Sequence, residues 1–158
     1  AISVEFMDIE KEIGQSVSFK SDLQRAAVNI LYTASWLNMK NTETLKPFAL
    51  TPQQFNVLRI LRGQHPKPST VNLLMQRMLD KSSNASRLVD RLLEKGFVTR
   101  ETNRQDKRAV DVYISQKGLD VLETIDKTVG LLESHLDHLT ESEARMLSDL
   151  LDKLRGDF

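Results

Sequence analysis

Hydrophobic residues recur every three or four positions along most of the chain, which is the spacing of one face of an α-helix. This pattern predicts a short helix that stops at Gly14 and a long helix over residues 21–41. Another long helix is expected to begin at Thr51-Pro52-Gln53-Gln54, which offers an N-cap, a proline in the first turn and a capping box. We expect it to stop at Gly63 and to be followed by a short helix over residues 70–79.

The most strongly amphipathic stretch lies at residues 82–95. Ser82 or Ser83 is the expected N-cap of this helix, and Gly96 is expected to end it. The hydrophobic period then changes from helical to alternating within residues 97–114, where two β-prone runs flank a polar loop. This change predicts a β-hairpin with a basic tip.

Apolar residues at heptad spacing dominate the last third of the chain. Ser115 is expected to cap one continuous helix of roughly 35 Å that reaches Leu139, and Thr140 is expected to open a final helix through a second capping box. These apolar faces predict a homodimer, and packing of the heptad seam within one chain is the alternative. The predicted dimerisation residues are Leu122, Ile125, Val129, Leu132, Leu136, Leu147, Leu150, Leu151 and Leu154.

The composition is that of a globular domain, with 40% hydrophobic and 28% charged residues, and it contains no cysteine. The lack of cysteine excludes disulfides, thiolate metal ligands and thiol nucleophiles. The net charge is zero, yet residues 59–108 carry 12 basic and 5 acidic side chains, whereas residues 109–158 carry 5 basic and 11 acidic ones. This asymmetry favours one local surface for an anionic partner such as nucleic acid.

Three helices followed by a β-hairpin are the order of a winged helix-turn-helix. The predicted fold class is therefore mainly α with a small β-hairpin wing, flanked by N- and C-terminal dimerisation helices. The polar face of the helix at 82–95 suits the DNA major groove, where Asn84 is a candidate partner of adenine and Arg87 or Arg91 of guanine. Arg104 at the hairpin tip is a candidate for the adjacent minor groove.

The same residues resemble the MarR family of bacterial transcriptional regulators. The resemblance rests on Leu50–Phe55, on Ser86–Val98 running into Arg100, on Asp106-Lys107-Arg108 in the wing, and on Ile114–Gly118. Where the family pattern has Leu-Thr-x-x-Gly at the start of the helix after the wing, this chain has Ile-Ser-x-x-Gly, a mild departure. These motifs span nearly half of the chain in the family's order.

The resemblance implies a homodimer that places two recognition helices in successive major grooves of a pseudo-palindromic double-stranded operator. It puts Ser83, Asn84, Ser86 and Arg87 on the front of the recognition helix. It also puts Arg104 at the wing tip and gives Asp106 the role of orienting the wing by pairing with an arginine. The full set of predicted DNA-binding residues is Lys81, Ser82, Ser83, Asn84, Ser86, Arg87, Arg91, Arg104, Asp106, Lys107 and Arg108.

Aromatic side chains form a candidate pocket for a small effector, since resembling proteins bind small aromatic acids. The candidates are Tyr32, Trp36, Phe48 and Phe55, and packing in the core is the alternative for each. His135 and His138 are spaced to share a metal, but no further ligand completes a shell, so we expect neither metal nor cofactor. The chain has no catalytic motif and is not expected to be an enzyme.

The sequence divides into three expected segments: an N-terminal helical dimerisation segment (1–48), a winged helix-turn-helix (49–115) and a C-terminal helical dimerisation segment (116–158). The expected function is a cytoplasmic, dimeric, sequence-specific regulator of transcription, most simply a repressor, with the recognition helix in the major groove and the wing 97–114 in the minor groove. The alternative is a winged-helix module for protein–protein contact without sequence-specific DNA binding.

Overall fold

The computed structural model describes residues 6–129 and 134–156, which form two compact units, 1–40 and 41–158. The elements are α1 (Ile9–Glu12), α2 (Asp22–Leu45), a 3-10 turn (Lys46–Phe48), α3 (Pro52–Gln64), β1 (Ser69–Thr70), α4 (Val71–Arg77), α5 (Ala85–Glu94), β2 (Val98–Thr102), β3 (Val110–Ile114), α6 (Gln116–Val129) and α7 (Glu141–Arg155). The predicted fold class, mainly helical with a small hairpin wing, is confirmed. No helix in the described ranges is long and apolar enough to cross a membrane.

In the N-terminal unit, α1 is shorter than the amphipathic pattern indicated. Asp8 caps it by accepting a hydrogen bond from the Lys11 N–H at 3.1 Å, and Gly14 follows with φ +65°. The long helix α2 continues four residues past the predicted end at Asn41. Its last residue, Leu45, is fully buried, so packing in the second unit supports the extra turn.

Helix α3 begins as predicted, with Thr51 as N-cap and Gln54 completing the capping box. The predicted stop at Gly63 is wrong, because the helix runs on through Gln64. It ends at His65, which precedes Pro66 and is extended, since a proline disfavours helical backbone in the residue before it.

Helices α4 and α5 form the helix-turn-helix and pack against α3. Leu74 and Met78 anchor α4 in the core, and Ala85, Val89 and Leu92 anchor α5. The N-cap of α5 is Asn84, not Ser82 or Ser83 as expected. All three residue types are good caps, and burial of the apolar face selects the register that starts the helix at Ala85.

The hairpin is part of a three-stranded antiparallel sheet in the order β1-β3-β2. Val98 pairs with Ile114 and Thr102 with Val110, which confirms the predicted wing. The third strand, β1, pairs Ser69 with Val112. A strand of two residues has no periodicity, and the sequence therefore did not predict it.

Helix α6 is capped by Ser115, whose Oγ accepts a hydrogen bond from the Gly118 N–H at 3.1 Å. Leu122 and Ile125 are fully buried in the same core as α3, so their predicted role in dimerisation is wrong and the alternative within one chain holds for them. The continuous helix to Leu139 is also wrong, because residues 134–140 form turns. Leu132 and the side chain of Val129 lie outside the described residues.

Helix α7 has the predicted capping box of Thr140 and Glu143. None of its residues is buried, and its apolar side chains are largely exposed: Leu147 is 46%, Leu150 58% and Leu154 64% exposed. An amphipathic helix of this kind is stable when its apolar face packs against another surface.

Candidate nucleic-acid interface

The turn that leads into α5 is organised by Asp80. Its carboxylate accepts hydrogen bonds from the Ser82 N–H at 2.9 Å and from the Ser82 hydroxyl at 2.6 Å. These bonds lower the pKa of Asp80 below its usual range. Lys81 is exposed and donates to the Gln76 carbonyl at 2.5 Å, and Ser83 is half-buried with its hydroxyl turned away from solvent.

Asn84 has a structural role that the sequence analysis missed. Its Oδ1 accepts a hydrogen bond from the Arg87 N–H at 3.0 Å and so caps the helix. Bidentate recognition of adenine uses this same oxygen as an acceptor and the side-chain amide as a donor. In this arrangement the amide is the part of Asn84 that remains for a base or a phosphate.

The exposed face of α5 carries two arginines in different states. Arg91 forms an ion pair with Glu94 at 3.0 Å, so its guanidinium is shared with an acid on the same helix. Arg87 is exposed and has no ion pair within the described ranges. Ser86 next to it is exposed as well. The first turn of α5 thus presents one unneutralised cation beside small polar groups.

The wing tip is a turn organised by Asn103. Its Oδ1 accepts from the N–H groups of Gln105 and Asp106 at 2.9 and 2.8 Å, and its amide donates to Asp111 at 2.9 Å. Asparagine is suited to such turns because its short side chain mimics a backbone hydrogen bond. Arg104, Lys107 and Arg108 beyond it are exposed and have no ion pair within the described ranges.

The pairing expected for Asp106 is wrong. Its carboxylate accepts from the backbone N–H of Arg108 at 2.9 Å, which stabilises the turn, and it pairs with no arginine side chain in the part of the chain that the structure describes. The ion pair that joins the wing to the recognition helix is instead Asp90–Arg100, at 3.0 Å. Asp90 lies inside the quoted motif, but a contact between a helix and a strand leaves no local sequence signal.

The other end of α5 is held by Lys95. Its Nζ donates to the Ala49 carbonyl at 2.5 Å and to Gln54 Oε1 at 3.0 Å, which ties the end of the recognition helix to the start of α3. Lys117 donates to the Lys95 carbonyl at 2.7 Å and lies over the Phe97 ring at 4.9 Å. The C-terminal end of the recognition helix is therefore fixed to the domain.

The four aromatic candidates for an effector pocket have different environments. Phe55 is buried in the winged-helix core at 5% exposure and Phe48 packs half-buried against that core, so the alternative role in packing holds for Phe55. Tyr32 and Trp36 line a cavity of 240 Å³ within the N-terminal unit. In the described ranges no three His, Asp or Glu residues are grouped to hold a metal ion.

A sequence model described as the MarR family matches residues 50–109, which run from the start of α3 through the wing tip. The chain is similar to a MarR transcription factor from Planctomyces limnophilus in its crystal structure, with 30% identity and a TM-score of 0.65, over 85% of this chain and 98% of that one. The chain belongs to the MarR family. The resemblance stated from the motifs is confirmed.

Two further relatives agree with this assignment. A mutant form of MarR from E. coli, crystallised in complex with operator DNA, is 29% identical with a TM-score of 0.71, over 94% of this chain and 99% of that one. The uncharacterized HTH-type transcriptional regulator YpoP of Bacillus subtilis (strain 168) is 29% identical over 106 residues, which cover 66% of this chain and 74% of YpoP. The chain is thus a MarR-family transcriptional regulator and not an enzyme.

Proposed function

We propose that this MarR-family protein binds a double-stranded operator as a sequence-specific dimer and represses transcription, with α5 in the major groove and the β2–β3 wing in the minor groove. The observation that carries the proposal is the set of exposed cations without ion pairs, within the described ranges, on these two elements: Arg87, Arg104, Lys107 and Arg108. Cations of this kind supply most of the sequence-independent affinity for DNA. The similarity to the E. coli MarR that was crystallised with operator DNA supports operator DNA as the partner.

The dimer is proposed from the exposed apolar residues of the C-terminal segment. Leu147, Leu150 and Leu154 recur along α7 with about half of each side chain exposed, and Leu136 is 41% exposed. A continuous apolar strip on a short amphipathic helix is costly in water and marks an interaction surface. Together with Leu151, these leucines are the described part of the proposed interface.

Repression and its release are the finer parts of the proposal. A dimer on an operator blocks access to the DNA that it covers. A small molecule lowers the affinity for the operator when it prefers a protein conformation that does not bind DNA. The size of this effect is limited by the ratio of the small molecule's affinities for the two conformations. We place Tyr32 and Trp36 in the effector site and leave Phe55 out, because it is buried.

Selection of bound duplexes from a random library tests sequence-specific binding. We expect an inverted repeat with half-sites about one helical turn apart, because the two recognition helices of a dimer enter successive major grooves. With about four to six phosphate contacts per protomer, log K against log salt is expected to have a slope of about −7 to −11 for the dimer. A slope near zero, with no enriched sequence, would overturn the proposed DNA binding.

Arg87→Ala is the matched variant for this test. If Arg87 contacts a base, affinity falls by about 1–3 kcal/mol per half-site and preference relaxes at one position of each half-site. If it contacts a phosphate, all duplexes weaken alike and the slope loses about two units, one for each protomer of the dimer. Lys20→Ala, an exposed cation of the N-terminal unit, is the control and should leave both measurements unchanged.

A further inference from the structure

The N-terminal unit contains a cavity whose two walls come from different elements. One wall is the segment 7–12, and the other is the face of α2 that carries Arg25, Asn29, Tyr32 and Trp36, residues spaced to lie on one side of a helix. The volume of 240 Å³ suits a molecule of one ring with a short substituent.

The charges around this cavity are unequal. Asp8 and Glu12 are in its lining, and neither carboxylate forms a salt bridge within the described ranges. The hydrogen bond to Glu10 and, to a smaller extent, the charge of Asp8 raise the pKa of Arg25. Arg25, the cation of the lining, is already paired with Glu10, with 2.9 Å between its Nε and a carboxylate oxygen. The other oxygen of Glu10 is buried without a hydrogen-bond partner among the described residues. The cavity therefore presents an excess of negative charge.

The aromatic side chains complete this environment. The Tyr32 hydroxyl donates to Glu12 at 2.8 Å, which fixes the phenol ring against the carboxylate and leaves the second carboxylate oxygen to accept another donor. Trp36 lines the cavity one helical turn further along α2. An ammonium group is attracted both to carboxylates and to the faces of aromatic rings.

We propose that this cavity is a binding site for a small organic cation, an amine attached to one apolar or aromatic ring. Asp8 and Glu12 bind the ammonium group, and Tyr32 and Trp36 contact the ring. This assignment differs from the aromatic acid implied by the family resemblance, because an acid would place its carboxylate beside Asp8 and Glu12. Regulation of DNA binding by this cation rests on the proposed function, whereas binding of the cation to the cavity does not.

The single tryptophan of the chain makes the test direct. Because Trp36 is the only tryptophan, its fluorescence in the full-length protein reports on this cavity alone. The probes are benzylamine, benzyl alcohol and benzoate, which have one ring and a positive, neutral or negative substituent. We expect saturable changes with benzylamine, at affinities about three- to tenfold higher than for benzyl alcohol and higher still than for benzoate.

Two variants test the carboxylates without removing their structural hydrogen bonds. Glu12→Gln can still accept from Tyr32, and Asp8→Asn can still cap α1. Each is expected to lower the affinity for benzylamine about threefold, whereas Glu101→Gln on the exposed wing strand leaves it unchanged.

Equal or stronger binding of benzoate overturns the assigned charge. The proposed site is overturned if no probe gives a saturable change in Trp36 emission and none shifts the temperature of thermal unfolding. These measurements use no DNA, so their failure is distinct from failure of the proposed function. Competition with a selected operator duplex then shows whether benzylamine changes DNA affinity.

Discussion

At the residue scale, Gly118 explains the glycine of the helix-start motif. A Cβ on Gly118 would lie 2.7 Å from Cγ1 of Ile114 and closer still to the Phe97 carbonyl oxygen. The first turn of α6 packs against the strand ends at this point, and only a hydrogen fits. The glycine is required here by a close approach and not by a special backbone angle.

Gly118→Ala is therefore expected to destabilise the protein by about 1–3 kcal/mol, because the backbone of Phe97 must shift to admit the methyl group. Chemical denaturation measures the change. Gly63→Ala is the matched control, since Gly63 lies in α3 with nothing within 4 Å of the added atom and alanine favours helix by about 0.5–1 kcal/mol. Equal destabilisation by both variants would refute the steric explanation.

A second prediction at this scale concerns pH. Hydrogen bonds from Ser82 hold the pKa of Asp80 below its usual range in the folded protein. Because the folded-state pKa is lowered, this turn stabilises the fold above the unfolded pKa of the carboxyl group, and the contribution is lost as pH falls through the folded pKa.

An NMR titration of the Asp80 carboxyl group checks this expectation. Ser82→Ala should raise the pKa of Asp80 toward its ordinary value, and Ser86→Ala on the exposed face of α5 should not. If both variants leave the titration unchanged, the hydrogen bond from the Ser82 hydroxyl does not cause the shift.

At the element scale, the wing and the recognition helix are joined by Asp90–Arg100. Both side chains are more than half exposed, so the pair is expected to couple by only about 0.2–1 kcal/mol in a double-mutant cycle. Its importance is geometric, because it links the strand that leads to Arg104 with the helix that carries Arg87.

Asp90→Asn is expected to speed amide hydrogen exchange in the wing while leaving α5 protected. Glu94→Gln is the matched control, since it removes an ion pair of the same length that lies within one helix. Wing exchange that rises equally in both variants would show that loss of surface charge, and not the link, is responsible.

At the scale of the whole molecule, the apolar residues of the C-terminal third divide into two groups. Leu122 and Ile125 are buried in the winged-helix core, whereas the leucines of α7 are exposed. The division separates residues that stabilise one chain from residues available to a second copy.

Leu150→Lys is expected to convert the proposed dimer to a folded monomer, because it places a charge in the apolar strip of α7. Leu122→Ala is expected to lower stability by about 2–5 kcal/mol and to leave the dimer intact where the protein is folded. Sedimentation velocity gives the mass of each. A dimer that persists in Leu150→Lys would remove α7 from the interface.

Local chemistry explains why part of the fold was predictable. The capping boxes at Thr51 and Thr140 and the cap at Ser115 depend on residues three apart, so the sequence alone indicated them. The start of α5 was misjudged because Ser82, Ser83 and Asn84 are equally suited to capping, and burial of the core selects one.

The sequence by itself determined the order of elements, the amphipathic faces, the basic recognition helix and wing tip, and the resemblance to the MarR family, because each depends on near neighbours or on a motif. Tertiary structure alone decided which acid orients the wing, that Leu122 packs inward, that Asn84 serves as a cap, and that carboxylates surround the cavity beside Tyr32. The physical reason is that each of these outcomes depends on how whole elements pack against one another, and hydrophobic period and charge specify that a side chain needs a partner without specifying which partner it meets.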